Sequence, residues 1–190
     1  MRLIIITLPY FSQKEALLIN DFFENGLKIL HLRKPNSDIT RYMALIELIK
    51  PEFHSKIVIH EHFELHSKYQ LKGIHLNRRN SVVPSAYNGD ISASCHSLDD
   101  VATIKQSCDY VFLSPIYDSI SKKEYKSAFD IDFLKEQKGN GIIDEKVFAL
   151  GGVTLSKLDE LKSIGFGGAA VLGDAWDEPM KYFNYLNNNQ

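Results

Sequence analysis

Eight short apolar runs recur along the chain, and stretches with the apolar spacing of helices separate most of them. The apolar residues are mainly consecutive rather than alternating, which is typical of parallel strands covered on both faces. The runs lie at 3–7, 28–34, 56–61, 73–77, 90–95, 110–116, 146–152 and 168–173. Eight strand–helix units predict an α/β fold, a compact (β/α)8 or TIM barrel, as one domain over residues 1–190. An open doubly wound sheet is the alternative.

Residues that begin helices stand between the runs. Asp38 and Ser97 each precede an apolar helical stretch, where a side-chain oxygen caps the first turn, and Asp100 completes a capping-box pattern with Ser97. Thr154 is the predicted cap of the helix after the seventh run. The asparagine-rich end, 187–190, is expected to be a frayed tail.

Charge and cysteine content narrow the class of partner. The chain has 22 Lys and Arg residues against 24 Asp and Glu, so the basic excess of nucleic-acid-binding domains is missing. Two cysteines, Cys95 and Cys108, form no metal-binding or disulfide pattern, which favours the reducing cytoplasm. The N-terminal apolar run is too short to span a membrane. The sequence therefore predicts a cytoplasmic protein without nucleic-acid or membrane partners, and it leaves homo-oligomerisation open.

Polar residues and glycines follow the apolar runs, at the strand ends where barrels of this type carry their chemistry. Glycines follow the seventh run at Gly151 and Gly152 and the eighth run at Gly173. The loops at these two places often bind phosphate through backbone N–H groups, and glycine lets the backbone approach the anion. A tight turn without a ligand is the alternative for the paired glycines.

The loop after the sixth run, SISKK (119–123), turns abruptly from an apolar strand to hydroxyl and cationic side chains. Lys122 would supply positive charge there, and Ser119 and Ser121 would supply hydroxyl donors. Together with the glycines, this loop predicts a phosphate or diphosphate site.

Five segments in order, HLRK, GIHL, SCHS, DYVFLSPIYDSISKK and FALGGVT…GFGGAAVLG, resemble the thiamine phosphate synthase and TenI family over nearly the whole chain. The resemblance implies a TIM barrel that couples two small phosphorylated substrates, hydroxymethylpyrimidine diphosphate and thiazole phosphate, and releases pyrophosphate. It implies that the pyrimidine CH2–O bond ionises and that the thiazole nitrogen captures the cation. Mg2+, arginine and lysine would neutralise the leaving diphosphate.

The resemblance also implies a role for individual residues. Arg33, Ser94 and Lys122 would be catalytic: the arginine and the lysine on the diphosphate, and the serine facing the reacting pyrimidine. Substrate and phosphate binding would involve Lys34, His60, Ser119, Ser121, Gly151, Gly152 and Gly173.

Several positions depart from the family pattern. Pro35 stands where the family has its second cation, and Lys34 lies one position earlier. Glu61 and Asn80 stand where the family has its magnesium-binding aspartates, so the resemblance implies a degenerate Mg2+ site on these two residues. The neighbouring Arg78 and Arg79 either bind an anion, partly replacing the metal, or are simply solvated.

Three functions remain open from the sequence. The leading interpretation is a synthase with altered metal use. A TenI-like thiazole tautomerase is the second, although Pro115 stands where that branch has its catalytic histidine. A non-catalytic paralogue that binds thiazole phosphate is the third. His60 or His75 would be the displaced base of a tautomerase. Five histidines lie in the first five units, and they would form either a zinc site or, more simply, ordinary hydrogen bonds in the barrel and its loops. They are His31, His60, His62, His75 and His96.

Overall fold

A computed structural model describes residues 1–118 and 129–189. Its eight strands are hydrogen-bonded in chain order and the order closes, so the predicted (β/α)8 barrel is confirmed. The strands are β1 Arg2–Ile6, β2 Ile29–Leu32, β3 Ile57–Ile59, β4 Gly73–Leu76, β5 Asp90–Cys95, β6 Tyr110–Leu113, β7 Val147–Ala149 and β8 Gly168–Val171. Each lies within a predicted run or extends one residue beyond it, because the polar ends of the runs belong to the loops.

The helices follow the strands in alternation, apart from the segment between β4 and β5. They are α1 Glu15–Glu24, α2 Ile39–Leu48, α3 Leu65–Tyr69, α4 Leu98–Ile104, α5 Ile131–Gly139, α6 Leu158–Ile164, α7 Gly173–Asp177 and α8 Pro179–Asn188. Because α8 continues to Asn188, the first two residues of the expected frayed tail are helical, and Asn187 Nδ2 donates to Asn25 Oδ1 over 2.6 Å.

Two of the three predicted helix caps are confirmed. The Asp38 side chain accepts from the Thr40 N–H, and Ser97 and Asp100 form a complete capping box. Thr154 is different: its hydroxyl lies 2.9 Å from Ser156 Oγ and accepts no backbone N–H, so a single 3-10 turn intervenes before α6. The Thr154 hydroxyl therefore contacts the Ser156 hydroxyl instead of the backbone N–H that a helix cap would bind.

The chain divides into two compact units, one of residues 1–4 and 91–171 and the other of residues 5–90 and 172–190. In the first unit β5–β8 pair in parallel, and Tyr110, Phe112 and Phe148 form an aromatic core with ring centroids 4.9–6.4 Å apart. In the second unit, Phe22 packs against Trp176 and Phe183. The prediction of one domain stays a prediction.

Among the helices of the described ranges, none combines the length and the apolar character needed to cross a membrane.

Candidate active site

A tight glycine turn follows β7 in the first unit. Gly151 and Gly152 have φ values of +96° and +62°, which side chains rarely adopt. A Cβ on Gly151 would lie 2.8 Å from Pro115, and one on Gly152 would lie 2.3 Å from the Asp118 carbonyl oxygen. The turn is therefore pressed against the segment that follows β6, and both positions require glycine.

Backbone hydrogen bonds join the glycine turn to that same segment. Ile116 N–H donates to the Leu150 carbonyl over 2.9 Å, and Tyr117 N–H donates to the Gly151 carbonyl over 3.0 Å. These bonds use the carbonyl groups of the turn. The N–H groups of Gly151 and Gly152 donate to no acceptor within residues 1–118 and 129–189. The turn thus offers a pair of backbone donors, as an anion site requires.

Tyr117 fixes the same segment to α6. Its hydroxyl donates to Glu160 Oε2 over 2.6 Å, and the Lys157 ammonium lies 4.8 Å from the centre of its ring. Burial and the neighbouring Glu160 carboxylate raise the pKa of Tyr117, so the phenol stays protonated as a donor. The segment after β6 is therefore held before the predicted SISKK loop begins.

Three predicted site residues, Ser119, Ser121 and Lys122, lie outside the described residues, and their roles stay predictions. Ser94 lies in β5 in register with Phe112 of β6 and is partly exposed. Gly173 begins the short helix α7, and a Cβ added to it would meet no atom within 4 Å. A side chain at this position would therefore meet open space, and packing does not require glycine there.

The second unit holds a group that we name the arginine cluster: Arg33, Tyr42, Glu61 and Arg79. Glu61 is buried, and its two oxygens are both engaged, Oε2 by the Tyr42 hydroxyl at 3.2 Å and Oε1 by Arg79 Nε at 3.3 Å. Burial lowers the pKa of Arg33, the Arg79 charge lowers it further, and Glu61 opposes both. An arginine nevertheless stays protonated near neutral pH, so the cluster carries two cations and one anion.

Arg33 is positioned from its backbone by the end of β1. Thr7 Oγ1 accepts from the Arg33 N–H over 2.9 Å and donates to the Arg33 carbonyl over 3.1 Å. The guanidinium itself has no hydrogen bond and no ion pair within 4.0 Å among the described residues, although it is partly buried. A cation in this state suits an anionic ligand, because burying it without a partner is costly.

Lys34 has a structural position that argues against its predicted contact with phosphate. Its side chain is fully buried, and its ammonium donates to the carbonyls of Leu8 (2.7 Å) and Tyr10 (2.6 Å) and to the Glu15 carboxylate. An ammonium has three donors, and all three are used. Lys34 thus ties the segment after β1 and helix α1 to the end of β2.

His60, predicted to bind substrate, belongs to a buried histidine cluster with His31 and His75. His31 Nδ1 lies 2.9 Å from His60 Nε2, and the His60 and His75 rings stack at 4.1 Å. Burial lowers the pKa of all three imidazoles, that of His75 to about 3, and the Arg33 and Arg79 charges lower the pKa of His60 further. The cluster is therefore neutral at physiological pH.

The histidine cluster has the composition of a metal site, but its rings also contact one another. One ring nitrogen from each of the three histidines lies within 4.8 Å of the other two, and this is the group of potential metal ligands found in the described ranges. His31 Nδ1 and His60 Nε2 share a hydrogen bond, and the rings of His60 and His75 stack on each other. Hydrogen-bonded core histidines, the simpler of the two sequence interpretations, describe the arrangement better than zinc ligands.

Asn80 ends a turn after β4 that Asn77 organises. Asn77 Oδ1 accepts from the N–H groups of Arg79 (3.0 Å) and Asn80 (3.3 Å), and Asn80 Nδ2 donates to the His60 carbonyl over 3.1 Å. This turn places Arg79 on Glu61. Sequence reasoning missed the partnership of Tyr42 and Arg79 with Glu61; the Asn–Arg–Arg–Asn pattern after a strand was the available signal for such a turn.

The Mg2+ that the family implies does not fit this donor set. Mg2+ sites use carboxylates, water and substrate phosphates. Here one carboxylate is present, an arginine and a tyrosine hydroxyl occupy its oxygens, and the second position is an amide. A cation at Glu61 would also lie close to the positive charge of Arg79, which is already paired with that carboxylate. The assignment of Mg2+ to Glu61 and Asn80 stays a prediction, and this arrangement speaks against it.

Comparison with known proteins identifies the family to which the chain is similar. Residues 3–175 match the family model described as thiamine monophosphate synthase. A curated thiamine-phosphate synthase from Dictyoglomus turgidum is 22% identical over 180 residues, which are 90% of this chain and 80% of that protein.

A crystal structure of thiamine phosphate pyrophosphorylase from Bacteroides thetaiotaomicron is 42% identical, with a TM-score of 0.88 over 98% of this chain and 94% of that one. A curated thiamine-phosphate synthase of the same organism is 23% identical over 162 residues, which are 79% of this chain and 78% of that protein. Because the family model spans most of its length, the chain belongs to the thiamine monophosphate synthase family.

Proposed function

We propose that the chain is a transferase of thiamine biosynthesis that couples hydroxymethylpyrimidine diphosphate with thiazole phosphate and releases pyrophosphate. Family membership supports this function. The observation that carries it is the glycine turn after β7, whose two N–H groups have no acceptor among the described residues. The turn lies where barrels of this type hold the phosphate of a substrate.

The reaction requires little proton transfer by protein groups. The bond between the pyrimidine CH2 group and the diphosphate oxygen breaks, and its electron pair leaves with the diphosphate. The thiazole nitrogen then gives its lone pair to the CH2 cation, which forms the C–N bond of thiamine phosphate. Protein groups have two tasks: to stabilise negative charge that develops on the diphosphate and to hold the two reactants together.

The chain's residues divide these tasks by their chemistry. Arg33 would donate to the diphosphate, since its guanidinium pairs with no anion in residues 1–118 and 129–189 and offers a planar fork of donors. The N–H groups of Gly151 and Gly152 would hold the thiazole phosphate. As the resemblance implies, Gly173 would contact a phosphate after β8. Ser94 would face the pyrimidine.

The loop after β6 has a proposed role in phosphate binding. Lys122 would reach the diphosphate, and Ser119 and Ser121 would donate to a phosphate. Mg2+ on Glu61 and Asn80 stays a prediction from the resemblance, and the contacts of these two residues speak against it. We further propose a cytoplasmic enzyme, because Cys95 and Cys108 are both free and buried.

No observation favours the tautomerase. Pro115 has no proton to transfer, and the candidate replacement bases are poor ones: the pKa of His75 is lowered to about 3, and His60 is buried against it. Proton transfer near pH 7 favours a group with a pKa close to that value.

Turnover with defined substrates tests the proposal. Purified protein is given both substrates, and thiamine phosphate and pyrophosphate are quantified over time. We expect both products in equal amounts. Binding of thiazole phosphate without either product would support the paralogue that only binds its ligand, and isomerisation of a thiazole carboxylate phosphate would support the tautomerase. Either result would overturn the synthase proposal.

A further inference from the structure

The arginine cluster differs from a metal site in its charge. A site for a divalent cation gathers carboxylates, whereas a site for a diphosphate gathers cations. The cluster has one carboxylate, Glu61, and two guanidiniums, Arg33 and Arg79. Asn80 adds no charge. The cluster therefore has a net positive charge, which attracts a diphosphate directly.

The second guanidinium is held in place rather than free in solvent. Arg79 binds Glu61 through Nε, and its backbone N–H donates to Asn77 Oδ1 over 3.0 Å. Glu61 is itself fixed by the Tyr42 hydroxyl, and its side chain is only 11% exposed. This arrangement orients Arg79 before any ligand arrives, which reduces the entropy lost on binding.

Arg79 keeps most of its donors available. Its side chain is 49% exposed, and among the described residues its two terminal nitrogens have no hydrogen-bond partner beyond the Nε contact with Glu61. The two terminal NH2 groups can therefore face an anion while Nε stays on the carboxylate. The Arg33 guanidinium likewise has no partner in the part of the chain that the structure describes, and the Arg79 charge lowers its pKa.

We propose that Arg79, anchored on Glu61, takes the place of the family's metal and forms with Arg33 a metal-independent clamp for the diphosphate. This inference rests on the proposed function for its substrate. The step itself is unchanged: the C–O bond breaks, its electron pair stays on the diphosphate, and the two guanidiniums stabilise the charge that develops there. No oxidant, reductant or proton donor is required.

Calorimetric binding of pyrophosphate in EDTA tests the clamp independently of turnover. The wild-type protein is expected to bind pyrophosphate without metal, and added Mg2+ should not strengthen the binding. Arg79→Gln should weaken it about 10- to 100-fold, because a charge-assisted hydrogen-bond partner is lost. Arg79→Lys should recover part of the loss, since it keeps the charge but not the planar fork.

Arg78→Gln is the matched control. Arg78 is the adjacent residue, is also exposed, and makes no ion pair with any residue that the structure describes. It should change the affinity less than about 2-fold, since an exposed charge without a partner contributes little. Melting temperatures of all variants establish that they are folded. Equal losses in Arg78→Gln and Arg79→Gln would contradict the clamp, because general surface charge would then explain the binding.

Thiamine phosphate formation in EDTA separates the two proposals. Metal-free pyrophosphate binding that depends on Arg79, with no thiamine phosphate under any condition, would support the clamp and overturn the proposed function. Pyrophosphate binding and turnover that both require Mg2+, with Arg79→Gln as active as the wild type, would overturn the clamp and leave the proposed function standing. Turnover in EDTA that falls at least 10-fold in Arg79→Gln would support both.

Discussion

The glycine turn and the arginine cluster are both suited to anions, but they are built from different material. The glycine turn uses backbone N–H groups, and its shape is fixed by φ values that only glycine adopts easily. The arginine cluster uses side chains whose positions depend on Glu61, Tyr42 and the turn at Asn77. The geometry of the backbone site depends only on its glycines, whereas the geometry of the side-chain site changes when any one of several residues is substituted. Two departures from the family pattern belong to the second kind of site: Glu61 is a member of the cluster, and Asn80 ends the turn that carries Arg79.

Acid should affect the second unit most, through the histidine cluster. The folded-state pKa values of His31, His60 and His75 lie below the unfolded value of 6.5, so the unfolded chain binds more protons as the pH falls. The contribution of these three histidines to the free energy of unfolding is therefore fully present above pH 6.5 and is lost progressively as the pH falls below it. The slope should approach about 1.4 kcal/mol per pH unit for each histidine, or about 4 kcal/mol for three.

Urea unfolding between pH 7 and pH 5 measures this slope. A His75→Phe variant, which removes one titrating group from the cluster, should flatten the slope by about a third. A slope that is the same in the variant and in the wild type would show that His75 does not titrate as its burial implies.

Removing the buried ammonium of Lys34 should have the next largest effect. Lys34→Ala leaves the Glu15 carboxylate buried without its cation, which typically costs about 3–5 kcal/mol of unfolding free energy. Lys50→Ala is the control, because the Lys50–Glu24 pair is exposed and should contribute about 0–1 kcal/mol. Chemical denaturation measures both. Similar losses in the two variants would mean that the buried pair has no special structural role.

Gly152→Ala tests the backbone site. An alanine with a φ of +62° is strained by about 1–2 kcal/mol, and its Cβ would displace the Asp118 carbonyl. We expect thiazole phosphate affinity to fall about 100-fold, since the turn must move. Gly139→Ala at the end of α5 is the matched control, because a Cβ there meets nothing within 4 Å. Calorimetry on folded variants measures the difference, and equal affinity in both variants would remove the turn from the site.

Loss of a helix cap should have the smallest effect. Asp38 caps α2, the helix that carries Tyr42 to Glu61. Asp38→Ala should cost about 1 kcal/mol in unfolding free energy and should change pyrophosphate affinity little. A large fall in affinity would show that the position of α2 controls the arginine cluster more strongly than its contacts suggest.

The same distinction explains what the sequence could predict. The eight strands follow from local apolar runs, and the glycine turn follows from residues that are adjacent in the chain, so both were predictable. Lys34 was expected to bind phosphate because it follows a strand beside Arg33, yet its neighbours in space are Leu8, Tyr10 and Glu15. The pairing of Arg79 with Glu61 depends on the course of a loop without regular structure, which local patterns do not determine.

Binding of both ligands to two variants tests the central claim most directly. Calorimetry would measure the affinity of pyrophosphate and of thiazole phosphate for Arg33→Gln and Gly152→Ala, with the wild type as reference. We expect a crossed result: Arg33→Gln loses about 10- to 100-fold in pyrophosphate affinity and little in thiazole phosphate affinity, and Gly152→Ala shows the opposite. Parallel losses of both ligands in each variant, or no loss in either, would contradict the division of labour between the two regions.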